Sequence, residues 1–196
     1  MCGIVGLFLK DRKLERELGG LLSDMLVTMS DRGPDSAGIA IYGKPTRGQV
    51  KVTVQSPLPD QDLPPLAGDL DKAGLKASVE IRNTHAVIST VADLTAVRAF
   101  LASRYPQLRI MSAGDSIEIF KEVGLPKSVV DRFDIRKACG THGIGHTRPA
   151  DLGFFGAPEQ WAPEGRELAK WNDPTEIRYL NRGPQKADEK IMNLFD

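Results

Sequence analysis

Cys2-Gly3-Ile4-Val5-Gly6-Leu7-Phe8-Leu9 stands at the start of the chain, and its residues 3–9 form an apolar run without a charge. Such a run reads as a central strand, buried on both faces. Lys10 to Lys13 then turns the chain. Leu14, Leu18, Leu21, Leu22, Met25 and Met29 follow at the spacing of one helix face. Gly19-Gly20 weakens that helix, and Asp31-Arg32-Gly33-Pro34 ends it. Gly38 to Gly43 reads as a second strand.

Further out, Lys51 to Gln55 alternates polar and apolar, a half-exposed strand. Residues 56–68 hold Pro57, Pro59, Pro64 and Pro65 and read as a loop. Thr84 to Val91 is a β-branched run, and Asp93 caps a helix bearing Leu94, Val97, Leu101 and Tyr105. Leu108 to Met111 closes this β-α-β unit. Residues 115–137 carry mixed helix signals broken by Gly124 and Pro126, and His142 to Arg148 reads as a strand running into a loop. Residues 2–43 and 138–150 are expected as a core, 44–137 as an insertion, and 151–196 as an atypical tail with both tryptophans.

The chain has 196 residues, 41% of them hydrophobic, which is enough to bury a core. Lys+Arg and Asp+Glu both number 26, and this balance argues against a general nucleic-acid binder. No apolar run is long enough for a membrane span. The start lacks a basic leader, and two cysteines make no disulfide framework, so a cytoplasmic location is expected.

Cys2 carries the sharpest chemistry. Removal of Met1 would leave it with a free α-amine, whose ordinary pKa of about 7.7–8.0 suits a base for the neighbouring thiol. One residue then supplies nucleophile and base; the competing role is a small buried cysteine in a strand. Arg32-Gly33-Pro34-Asp35-Ser36-Ala37-Gly38 alone is a helix-to-strand turn. Arg148, closing Gly145-His146-Thr147-Arg148, can grip a carboxylate through two parallel hydrogen bonds, against the alternative of a solvated surface arginine. Cys139, His142 and His146 have metal-ligand spacing but no obvious fourth ligand, and no metal or other cofactor is expected.

Taken together, the ordered set Cys2-Gly3-Ile4-Val5-Gly6, Arg32 to Gly38 and Gly143 to Arg148 resembles class II glutamine amidotransferases, which are N-terminal-nucleophile hydrolases. Thr84 to Ile88 and Ile117 to Pro126 make it most similar to the amidotransferase subunit of the glutamate-synthase-like group that includes N-methylglutamate synthase. The resemblance covers residues 1–148. It implies an α+β fold, an αββα sandwich that is incomplete here and carries an inserted β-α-β subdomain. It implies hydrolysis of the glutamine side-chain amide, with ammonia passed to a synthase partner. Cys2 would be the nucleophile, Arg148 would bind the substrate carboxylate, and the Arg32–Gly33 loop would lie beside the nucleophile.

After Arg148 the pattern departs. Pro149-Ala150-Asp151 replaces the family's Ala-Thr-type pair, and the oxyanion-hole sequence His-Asn-Gly is absent, with Asn181-Arg182-Gly183 as a loose echo. Asn172-Asp173-Pro174-Thr175-Glu176 echoes the run whose aspartate binds the substrate's α-amine, which makes Asp173 a candidate against the alternative of an Asp-Pro turn. Losing an oxyanion donor typically costs about 100- to 1,000-fold in rate. The alternative expectation is therefore a structural or regulatory subunit of a synthase complex.

Overall fold

The computed structural model describes residues 2–45 and 48–149. It is a mixed α+β structure built on two four-stranded antiparallel sheets.

The first sheet has the order β1 (Gly3–Phe8), β8 (His142–Arg148), β2 (Ser36–Tyr42), β7 (Ile117–Val123). β8 inserts between β1 and β2, so the centre of this sheet closes only with the 142–148 stretch. Helices α1 (Leu18–Thr28) and α5 (Pro126–Arg132) cover one face over a core that includes Val5, Leu22, Leu26, Ile39, Ile41, Phe120 and Phe133. Strand alternation sends Ile4, Phe8, His142, Ile144, Tyr42 and Ile119 to the other face. Ile4 is 57% and Phe8 68% exposed there, so the first strand is buried on one face, where two were expected.

The second sheet has the order β4 (Ala77–Arg82), β5 (His85–Thr90), β3 (Val50–Gln55), β6 (Arg109–Gly114). With α2 (Pro59–Asp62), α3 (Leu66–Lys72) and α4 (Leu94–Arg104) it runs β-α-β-β-α-β, the split β-α-β arrangement. Val52, Val54, Leu66, Leu70, Ile88, Val97 and Leu101 form its own core. Asp93 caps α4 as expected, its carboxylate accepting from the Thr95 N–H.

Three stretches differ from the sequence expectation for physical reasons. The helix expected over 14–29 is split into a 3-10 turn, Arg12–Arg16, and α1. Gly19 is no mere weak point: a Cβ there would lie 2.0 Å from the Ile135 carbonyl oxygen, so the glycine lets α1 dock on 135–138. Residues 56–68 are not all loop, because Pro59 starts α2 and Pro65 caps α3, and proline fits a first helical turn. Residues 115–137, assigned to the insertion from sequence, contain β7, which pairs with β2 in the first sheet. β7 hides its strand signal by turning Glu118 and Glu122 inward, where they pair with the second unit and α5: Lys51 Nζ reaches Glu118 at 2.6 Å, and Thr84 Oγ1 donates to Glu122 at 2.7 Å. Among the described residues no helix is long and apolar enough to cross a membrane.

Candidate active site at one end of the first sheet

Three separated stretches meet where β1 begins and β8 ends. Gly3 pairs with Thr147, so continuation of that register carries the exposed Cys2 alongside Arg148. α1 stops at Thr28, and the 3-10 turn Ser30–Arg32 swings the chain back across the same end. Pro34 bridges Arg148, and the Asp35 N–H donates to the Arg148 carbonyl at 3.2 Å. The Asp35 carbonyl in turn accepts from the Gly124 N–H at 2.7 Å, which fastens the end of β7 to the loop.

Side-chain size decides this junction. A Cβ on Gly33 would lie 2.4 Å from the Arg148 amide nitrogen, so only glycine lets the loop lie against β8. A Cβ on Gly3 would meet Thr147 Oγ1 at 2.9 Å and Arg32 Cβ at 3.5 Å. Thr147 is fully buried, and its hydroxyl donates to the Met29 carbonyl at 3.3 Å, tying the end of α1 to β8.

The structure thus brings Cys2, Arg32, Gly33 and Arg148 to one end of one sheet. Arg32 is exposed, and Arg148 is half-buried. The result is an exposed thiol at a sheet end that also carries two arginines, a residue type suited to gripping a carboxylate. His146, beside Arg148 in β8, is pushed down to about 4 by burial and by the charges of Lys121 and Arg148, so it is neutral at pH 7. Asp173 and the 172–183 echoes lie outside the described residues.

His142 and His146 share a face of β8, as their even spacing requires, but the metal arrangement does not form. His142 stacks on Tyr42, with ring centroids 4.1 Å apart, and the Cys139 thiol points back to the Lys137 carbonyl. Among the described residues no three His, Cys, Asp or Glu side chains converge on a metal position. Sequence reasoning missed Thr147 and Asp35 as organisers of the site. The clue to Thr147 was a polar residue at an inward position of a strand flanked by glycines.

No family model matches the chain. It is 62% identical over 151 residues to glutamine amidotransferase-like protein GlxB of Rhizobium meliloti, covering 76% of this chain and 50% of that protein. It is 32% identical over 165 residues to a protein of Methanothermobacter thermautotrophicus provisionally named a glutamine amidotransferase, covering 76% of this chain and 52% of that one. The chain spans about half the length of the curated relatives it matches.

Proposed function

We propose that this chain carries the glutamine-hydrolysing site of a class II, N-terminal-nucleophile amidotransferase. The observation that carries the reading is the convergence of Cys2, the Arg32–Gly33 loop and Arg148 at one sheet end. Similarity to proteins named for glutamine amidotransfer supports glutamine as the substrate. With Met1 removed, the Cys2 α-amine takes the thiol proton, and the sulfur attacks the glutamine amide carbon. The C–N bond breaks, and the proton leaves with ammonia. Water then cleaves the thioester, releasing glutamate and restoring the thiol. Arg148 holds the substrate α-carboxylate by charge-assisted hydrogen bonds, and Asp173 is the candidate for its α-amine. Ammonia passes to a glutamate-synthase-like partner.

In fold terms, we read the open face of the first sheet, with exposed Ile4, Phe8 and Val123, as the side on which the second sheet of an αββα sandwich packs. Residues 50–114 are the inserted module, and β7 and α5 belong with the core. A second reading, a non-catalytic synthase subunit, is favoured by Pro149-Ala150-Asp151, which departs from the family's pattern directly after Arg148.

Ammonia release from glutamine by the 196-residue chain separates the two. The catalytic reading expects turnover that Cys2→Ala abolishes without unfolding the protein, and an Arg148→Ala variant with a raised KM for glutamine. Turnover retained in Cys2→Ala would remove the nucleophile; none in the wild type would favour the non-catalytic subunit.

A further inference from the structure

The β4–β5 hairpin turns through Asn83 and Thr84 and reaches across to α5 and the 3-10 turn Ile135–Lys137. Between the two lies a half-open cleft of about 360 Å³, on the scale of small-molecule sites. It shares no lining residue with the candidate active site, and both structural units contribute walls. Asn83 (φ 55°) and Asp134 (φ 52°) line it, each a non-glycine residue in the left-handed region. Asn and Asp tolerate this conformation in turns, and here it shapes both rims of the cleft.

The charges in the cleft are unevenly committed. Arg82 is spoken for: it donates to Glu80 at 2.8 Å, lies 3.6 Å from Glu118 and sits over the Phe120 ring at 5.3 Å. Arg132 has one ion pair among the described residues, to Glu122 at 3.8 Å, and Glu122 already accepts from Thr84. Most of the five guanidinium donors of Arg132 therefore remain for a ligand. Lys137 is 78% exposed and pairs with Asp134 at 3.1 Å, a contact that water weakens. The exposed Asn83 amide adds neutral donors at the rim, and Phe133 supplies an apolar wall. Three cationic residues, Arg82, Arg132 and Lys137, stand against the acids Glu80 and Asp134.

We propose that this cleft binds a small oxyanion, a carboxylate or a phosphate, between Arg132 and Lys137, with the Asn83 amide as a further donor. Bound there, the anion bridges the hairpin of the second sheet to the α5 end of the first. It therefore clamps the two units together, which sets it apart from a substrate site.

Calorimetric titration of the full chain at low salt, with inorganic phosphate and separately with glutarate, tests this. The expected result is binding of at least one probe with a Kd of about 1 mM or tighter. Phosphate alone would identify a phosphate site, and glutarate alone an organic-acid site. Arg132→Gln and the more exposed Lys137→Gln should each weaken binding about tenfold, as loss of a charge-assisted bond does. Lys72→Gln, outside the cleft lining, should not. Amide exchange in residues 80–85 and 132–138 should slow when the probe is bound. The proposal is overturned if neither probe binds by 10 mM, a ceiling of roughly −3 kcal/mol, or if Lys72→Gln weakens binding as much as the cleft variants.

Discussion

The two sheets have the same strand number and the same antiparallel pairing, yet they use backbone differently. In the first, glycines sit where other chain segments press in: a Cβ on Gly33 would meet the Arg148 backbone at 2.4 Å, and one on Gly143 would meet the Leu22 side chain at 2.7 Å. In the second unit, Gly48, Gly68 and Gly74 have nothing within 4 Å of where a Cβ would stand, and one on Gly114 would meet a side-chain methyl, Ile117 Cγ2, at 3.0 Å. The second unit is held by side-chain packing of Val, Leu and Ile under its helices. The first gives up side-chain volume at one end so that three chain segments can touch, and that end holds the candidate chemistry.

Replacing Gly33 with alanine should do the most damage. The clash is with backbone, which has no rotamer to escape into, so about 3 kcal/mol or more of stability should go, seen as a lower denaturation midpoint. Any glutamine turnover should fall with it. A tolerated Gly33→Ala would break the distinction between the sheets.

Core truncations should come next. Leu22→Ala and Leu70→Ala each remove a fully buried leucine and should cost about 2–5 kcal/mol. Segment-resolved hydrogen exchange should show Leu22→Ala loosening the first sheet and Leu70→Ala the second. Loss spread evenly over both sheets would mean that the units do not have separate cores.

The seam between them should respond to acid. His85 is fully buried on β5 against Phe120 and Phe133, and burial lowers it from 6.5 to about 4. Its folded pKa lies below its unfolded value, so its contribution is complete above pH 6.5 and drains as pH falls toward 4. At about 1.4 kcal/mol per unit, the loss approaches 3 kcal/mol for this ring. Half-buried His146 adds a smaller loss in the same direction. Denaturant unfolding at pH 7.5 and pH 4.5 should show the drop, and His85→Gln should remove its larger part.

Smaller effects sharpen the contrast. Thr147→Val removes the hydroxyl that donates to the Met29 carbonyl and should cost about 1 kcal/mol. Gly68→Ala, exposed in α3 with open space around it, should instead stabilise by about 0.5–1 kcal/mol in thermal unfolding.

Much of this was legible from local pattern. The first strand, the second strand, the Asp93-capped helix and the 142–148 strand stand close to where their residues predicted, because each signal is local: an apolar run, a cap, a glycine-punctuated alternation. β7 was not legible, because its inward Glu118 and Glu122 are satisfied by Lys51, Arg82, Thr84 and Arg132 from elsewhere in the chain. The helices at 59–62 and 66–72 were hidden because proline ends helices in one position and starts them in another. At the candidate site, Cys2, Arg32, Gly33 and Arg148 were recognisable by motif. Why Gly33 must be glycine, and that Thr147 ties α1 to β8, emerges only when β8 is threaded between β1 and β2.

A glutamine site built on Cys2 is tested most directly by the intact mass of the chain before and after 6-diazo-5-oxo-norleucine, a glutamine-shaped electrophile. Met1 should be lost and one adduct should form, mapped to Cys2, with free glutamine slowing its formation. Retained Met1, or a free Cys2 that takes no adduct or takes it regardless of glutamine, would contradict a glutamine site at this end of the first sheet.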